Sequence, residues 1–223
     1  MSMDPTRASK SCALSYQEAL ARQTAASGPG WLLFTPPPVL TVTRRSSPGE
    51  LRVSSNLLNE KNIELLTVDR GGRTTYHGPG QIVGFPLGTL ADFVGDSRGV
   101  RKFIEKLVSA LEWFVESEWR RSGDRRTIDR KKAAQCPGVW ARTETGELQK
   151  IASIGLAFHR GRMAHGFALN VDETSTAPFQ WIHPCGEPDT QMSCVYPRAA
   201  REIPAVSARL RLTLASAFEK AIG

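Results

Sequence analysis

Residues 70–81, Arg-Gly-Gly-Arg-Thr-Thr-Tyr-His-Gly-Pro-Gly-Gln, place four glycines in twelve positions between the apolar runs 63–68 and 82–85. Glycine lacks a Cβ, reaches left-handed dihedrals cheaply and lets another group come close to main-chain N–H donors. An ordinary hairpin connection needs only about one or two such residues. Here the glycines are surrounded by the directional donors Arg70, Arg73, Tyr76 and His77, which marks a loop built against a ligand. Neither common phosphate-binding pattern fits, because there is no G-x-x-x-x-G-K-[ST] and no G-x-G-x-x-G opening a helix. Pro79 blocks an immediate helix, and an apolar, β-branched segment follows it.

A chain of 223 residues suits one domain, large enough to bury roughly 70% of its unfolded surface. Its hydrophobic content of 40% and charged content of 23% are those of a soluble globular protein. No apolar run approaches the roughly 20 residues a membrane-spanning helix needs. The opening Met-Ser-Met-Asp-Pro-Thr-Arg lacks the apolar core of a secretory signal. The four cysteines, Cys12, Cys136, Cys185 and Cys194, form no CxxC pair and suit free thiols in a reducing compartment. A cytoplasmic location is expected. The net charge is +7, and residues 120–132 hold seven positive and two negative side chains. Such a run is either a solvated loop or a docking patch for an acidic partner. Nucleic acid fits less well, since no aromatic residues interleave with the cations as stacking platforms.

Local patterns define the elements. Ser15 and Glu18 form a capping box, predicting a helix over about 15–26. Trp31–Phe34 and Val39–Thr43 read as strands on either side of a triple proline, and 44–62 reads as polar and irregular. Ile63–Val68 delivers the glycine loop and Gln81–Phe85 leaves it. Apolar spacing through Val100, Phe103, Leu107, Leu111 and Phe114 predicts a helix over 98–119, with Asp96 or Ser97 as its N-cap. Strands are expected at 138–143, 149–158 and 163–171, and a closing helix at about 203–221. The order implies an α+β fold, a mixed β-sheet with helices on one side, and no internal repeat.

Of the four thiols, Cys185 stands out, because Pro184 and Gly186 suit a sharp, accessible turn rather than a strand or helix interior. Cys194 lies in a segment that reads as structural. An ordinary thiol is only a few per cent thiolate at neutral pH, so a nucleophilic cysteine gains from a nearby cation. Lys150 opens the run Lys-Ile-Ala-Ser-Ile-Gly, whose alternation sets it on one strand face opposite small residues.

The loop resembles the RGGxxTYHGPGQ signature of the octanoyltransferases of lipoate synthesis, relatives of the biotin and lipoate protein ligases. Gly138-Val139-Trp140, Lys150 to Gly155, His165 to Val171 and Pro184-Cys185-Gly186 extend the likeness in family order from about residue 30 to 195. The resemblance implies a biotin/lipoate protein ligase-like catalytic domain, one domain over 1–223 with its core at about 30–221. It implies an acyltransferase moving an octanoyl group from octanoyl-acyl carrier protein to a lysine of a lipoyl domain, through a thioester on Cys185 assisted by Lys150. The acceptors it implies are lipoyl domains of 2-oxoacid dehydrogenase complexes and the glycine cleavage H protein. By the same likeness the acyl and carbonyl site is lined by Arg70, Gly71, Gly72, Arg73, Thr74, Thr75, Tyr76 and His77, by Ser153, Ile154 and Gly155, and by Gly166, Phe167 and Ala168. No cofactor or metal, no nucleic acid and no membrane is implied.

Four other readings compete. Gly95-Asp96-Ser97-Arg98-Gly99 matches the G-x-S-x-G elbow of serine hydrolases, which needs a strand before it. A cysteine–histidine hydrolase could draw a base from His77, His159, His165 or His183. An ATP-dependent lipoate ligase would share the fold without needing the thiol. A non-catalytic carrier-binding module would need neither Lys150 nor Cys185.

Overall fold

The computed structural model describes residues 14–159, 161–183, 190–197 and 208–222. The Ser15 capping box forms as read: the Glu18 carboxylate accepts from the Ser15 N–H at 2.8 Å and opens helix α1 (Tyr16–Ala25). Strands β1 (Gly30–Phe34) and β2 (Val39–Val42) follow. The stretch 44–62 is not wholly irregular. Ser54 accepts from the Leu57 N–H and starts helix α2 (Ser55–Glu60), and a 3-10 turn covers Pro48–Glu50. Next come β3 (Glu64–Thr67), the glycine loop, β4 (Thr75–His77) and β5 (Gln81–Leu87).

Helix α3 (Leu90–Val94) ends on Gly95 in the left-handed region, and α4 (Val100–Ser122) begins with Gly99, not Asp96 or Ser97, at its N-cap. Asp96 instead accepts from the Arg98 N–H at 2.8 Å, one turn too early. Ser97 is exposed and follows a helix, so the strand that a serine elbow requires is absent at that place. The chain continues through β6 (Thr127–Ile128), α5 (Arg130–Gln135), β7 (Gly138–Arg142), β8 (Leu148–His159), β9 (Arg162–Asn170), β10 (Gln191–Met192) and α6 (Ala208–Ile222).

Among the described residues, seven strands form the main sheet in the order β1-β5-β9-β8-β7-β6, all antiparallel along that path, with β10 added parallel to β8. A smaller sheet orders β3-β2-β4. Adjacent residues of a strand face opposite sides, and β5 shows the consequence. Ile82 joins Phe103, Leu107, Leu111 and Leu214 under α4 and α6, whereas Val83 and Phe85 join Tyr16 and Ala19 under α1. Helices therefore cover both faces rather than one, and the sequence offered no cue to which face α1 would take.

The basic segment is part solvated and part tied down: Arg120, Arg121, Arg125 and Lys131 are exposed, as a solvated run would be, while two other cations make structural pairs. Arg126 pairs with Asp124, stacks over Trp119 and donates to the Cys194 and Val195 carbonyls, each at 3.0 Å. Arg130 lies 3.2 Å from Glu112 and 2.8 Å from Glu116. These cations hold α4, β6 and the end of β10 together. Glu118, fully buried, does the same between α4 and α6 through Tyr196 and Arg209. Among the described residues no helix is long and apolar enough to cross a membrane.

Candidate functional site

The glycine loop closes over the sheet face that α1 shares. The Gly71 N–H donates to the Leu156 carbonyl at 2.9 Å, which pins the loop on β8. The strand can receive it only because residue 155 is glycine: a Cβ there would stand 2.9 Å from the Gly71 carbonyl oxygen. The Arg70 guanidinium then turns back to β2, donating to Thr41 Oγ1 at 2.6 Å.

Under the loop lies a narrow cavity open to solvent. Its wall brings together Arg70 to Thr75, His77, Lys150, Ser153 to Gly155 and Gly166 to Ala168. The loop residues 70–77 are separated from the β8 and β9 residues of the wall by about 70 to 100 positions in the sequence. Tyr76 is the exception to the expected wall. In β4 it alternates with Thr75 and His77, so its ring turns away and packs edge-on to Phe179 at 6.1 Å. Tyr16, Val83 and Phe85 complete the wall at its buried end. That end is apolar, with Ala168 beside it, while Arg73 sits partly exposed at the mouth and Phe167 turns its ring to the other face, against Trp31 and Phe218.

Lys150 is only 2% exposed. Trp140 pairs with Lys150 and Val139 with Ala152, which leaves Ile151 as an extra residue in β8. This bulge resets the alternation. Ile151 and Ala152 both enter the core, and Lys150 shares the cavity with Ser153 and Gly155. Strict alternation would have grouped it with Ala152 and Ile154. Its Nζ lies 4.9 Å from the centre of the Trp140 ring and donates to Cys136 Sγ at 3.7 Å. Gly138 leaves the room for it: φ is 152°, and a Cβ would meet the Ala152 carbonyl oxygen at 2.4 Å and Lys150 Cε at 3.0 Å. Gly138→Ala is expected to lower stability by about 1–3 kcal/mol and to reduce activity by displacing Lys150. Thermal melts and steady-state rates check both.

Cys185, together with Pro184 and Gly186, lies outside the described residues. Cys194 is buried, and burial pushes its thiol up to about 12, which removes it as a nucleophile near neutral pH. Burial, reinforced by Arg70, pushes His77 down to about 3, so its imidazole is neutral and a poor base. His165 is also lowered by burial, against the opposing pull of Asp69. It is held at φ 60° between Tyr16 Oη (3.0 Å) and Asp69 Oδ1 (2.9 Å), and Gln23 clamps its backbone on both sides. His77 is a fixed part of the wall and His165 is fixed behind it against Tyr16, which weakens the cysteine–histidine hydrolase for these two residues.

Glu50 was also missed by the sequence reading. Its buried carboxylate accepts from Arg73 Nε at 2.6 Å, the Ser47 N–H at 2.8 Å and the Thr74 N–H at 3.1 Å. Burial opposes its ionisation, yet those hydrogen bonds prevail and hold it down to about 2 from 4.5. A depressed carboxylate stabilises the fold fully above its unfolded value and loses that contribution as pH falls through the folded one. Acid titration followed by circular dichroism should therefore show the loop's contribution fading between 4.5 and about 2. The Glu50→Gln variant should lack that component.

Comparison with protein families matches residues 10–209 to the lipoyl protein ligase A/B catalytic domain. The chain is 37% identical over 164 residues to the octanoyltransferase of Alkaliphilus metalliredigens, covering 74% of this chain and 68% of that one. It is 35% identical over 182 residues to the octanoyltransferase of Caldicellulosiruptor bescii, covering 78% and 73%. Among solved structures it superposes on a lipoate-protein ligase A bound with ATP, with a TM-score of 0.59 at 14% identity, covering 90% and 76% of the two chains. The bi-partite lipoate protein ligase of Thermoplasma acidophilum gives a TM-score of 0.56 at 15% identity, over 86% and 71%. At such identities the structural likeness speaks for the fold. The chain belongs to the lipoyl protein ligase A/B catalytic domain family. With octanoyltransferases as its sequence relatives, it is an acyltransferase.

Proposed function

We propose that this acyltransferase carries an octanoyl group from octanoyl-acyl carrier protein to a lysine of a lipoyl domain, by way of a thioester on Cys185. The observation that carries the reading is the cavity itself. It gathers the glycine loop, β8 and β9 around an apolar buried end, with the Lys150 ammonium in its wall. An eight-carbon chain suits that end, since each buried methylene contributes roughly 0.8 kcal/mol. In the first half-reaction the Cys185 thiolate attacks the thioester carbon, and the carrier thiol leaves with a proton. In the second, the acceptor amine attacks the acyl-enzyme, an amide forms, and the Cys185 thiolate is restored. The Lys150 ammonium gives its proton to the departing carrier thiol in the first half and takes one back from the attacking acceptor amine in the second. Thioester exchange is nearly balanced and amide formation runs downhill, so no ATP is needed. The acceptors would be lipoyl domains of the 2-oxoacid dehydrogenase complexes and the glycine cleavage H protein, and the setting cytoplasmic.

Intact-mass spectrometry after mixing with octanoyl-acyl carrier protein tests this. The expected result is one octanoyl adduct on Cys185 that moves to an added lipoyl domain faster than to water. An adduct that only hydrolyses would indicate a thioesterase. The ligase fold keeps a second reading in play: full activity of Cys185→Ser with lipoate and ATP would establish that alternative.

A further inference from the structure

We infer that Glu50 is a positioning residue that sets the glycine loop in register with the segment carrying the nucleophile. This rests on the acyl-enzyme reading above. The side chain of Glu50 holds Arg73 and the Thr74 N–H, both in the cavity wall. Its backbone holds the other partner. The Glu50 carbonyl accepts from the His183 N–H at 2.9 Å, Leu51 bridges Ile182, and the Arg52 N–H donates to the Trp181 carbonyl at 2.8 Å. Cys185 follows His183 by two residues. Glu50 to Arg52 is thus stitched on one side to the wall that seats the acyl group. On the other it is stitched to Trp181, Ile182 and His183, at the end of a 3-10 turn over Ala177–Trp181.

The chemistry requires such a link. The two reacting atoms are delivered by different segments, and attack needs them about 3–3.5 Å apart with correct alignment. On that reading the acyl chain lies at the buried end of the cavity, against Val83 and Phe85, neither of which is hydrogen-bonded to Glu50. Loosening Glu50 should therefore spare binding and slow the chemical step. A carboxylate is the group that fits, because its two oxygens meet three donors. In Glu50→Gln the amide must turn its own N–H groups toward one of those donors, so one tie is lost while the side-chain shape is kept.

The test uses the full chain, octanoyl-acyl carrier protein as donor, and single-turnover intact-mass readout of thioester formation. Wild-type protein that forms no adduct on Cys185 would sink the acyl-enzyme reading itself. With that adduct in hand, Glu50→Gln is expected to form it roughly 30- to 100-fold more slowly, with donor affinity within about threefold and the folded fraction unchanged. Adding Arg73→Gln should slow it by less than about twofold further, since the two act as one unit. Acylation by Glu50→Gln within about threefold of wild type would overturn the inference, as would a loss confined to affinity or fully additive with Arg73→Gln. Should Glu50→Gln not fold, Arg73→Gln alone decides by the same split: a slower chemical step supports the inference, and unchanged chemistry refutes it.

Discussion

Cys185→Ala is expected to abolish acyl transfer, by at least about 10⁴-fold, while the circular dichroism spectrum and melting temperature stay near wild type. The expectation is sharp because the two thiols among the described residues, Cys136 and Cys194, have defined surroundings. Cys194 is sealed in the core, with its thiol raised to about 12 by burial. Cys136 is the thiol to watch, because it accepts from Lys150 Nζ at 3.7 Å, at the back of the cavity wall. A Cys185→Ala protein that still gains the octanoyl mass, with the label mapped to Cys136, would transfer the nucleophile's role to that residue. A variant with no adduct at all, matched by a wild-type adduct on Cys185, upholds the proposal. Peptide mapping after acylation separates the two outcomes, and a Cys136→Ser control should retain the wild-type adduct.

What the sequence made legible follows from what is local. The capping box at Ser15, the α4 stripe and the β8–β9 hairpin depend on neighbours within a few positions, and each forms close to its expected bounds. The wall of the cavity was legible for another reason, namely glycines and donors placed where neither a strand nor a helix would want them. Four features were not legible. The side of the sheet that α1 covers is set by how Tyr16 packs on Phe85 and His77 across 60 to 70 residues of chain. The turn of Tyr76 away from the cavity, onto Phe179, depends on β4, a three-residue strand without a periodic signal. The bulge at Ile151 is invisible because its sequence alternates normally. Glu50 sits in a stretch that reads as irregular, and only the fold brings Arg73 and His183 to it. For the charge run at 120–132, the ties of Arg121 and Arg130 to Glu112, Glu116 and Glu118 join the run to the preceding helix, and local charge patterning does not reveal which cations make them.

Lys150→Arg is expected to lower turnover by about 10²- to 10⁴-fold although the charge is kept. The reasoning starts from space. Lys150 is buried, its stem passes Gly138 at a distance that already excludes a Cβ, and its ammonium rests against the Trp140 face and Cys136. An ammonium on a flexible stem fits that slot; a planar guanidinium is wider and longer, so it must push Trp140 aside or point its fork away from the cavity. The chemistry adds to the steric effect. A group that accepts a proton in one half-reaction and returns it in the other must be able to lose that proton, and a guanidinium does not at any working pH. Both half-reactions should slow together, which distinguishes a proton shuttle from a residue that only neutralises the thiolate. Rapid mixing with octanoyl-acyl carrier protein reads the first half, and transfer from pre-formed acyl-enzyme to a lipoyl domain reads the second. If the first half slows while the second runs at the wild-type rate, Lys150 is an electrostatic partner of the thiol and the acceptor amine finds its base elsewhere. Turnover above about a tenth of wild type would remove Lys150 from the chemistry altogether, because general acid–base catalysis contributes about 10² or more.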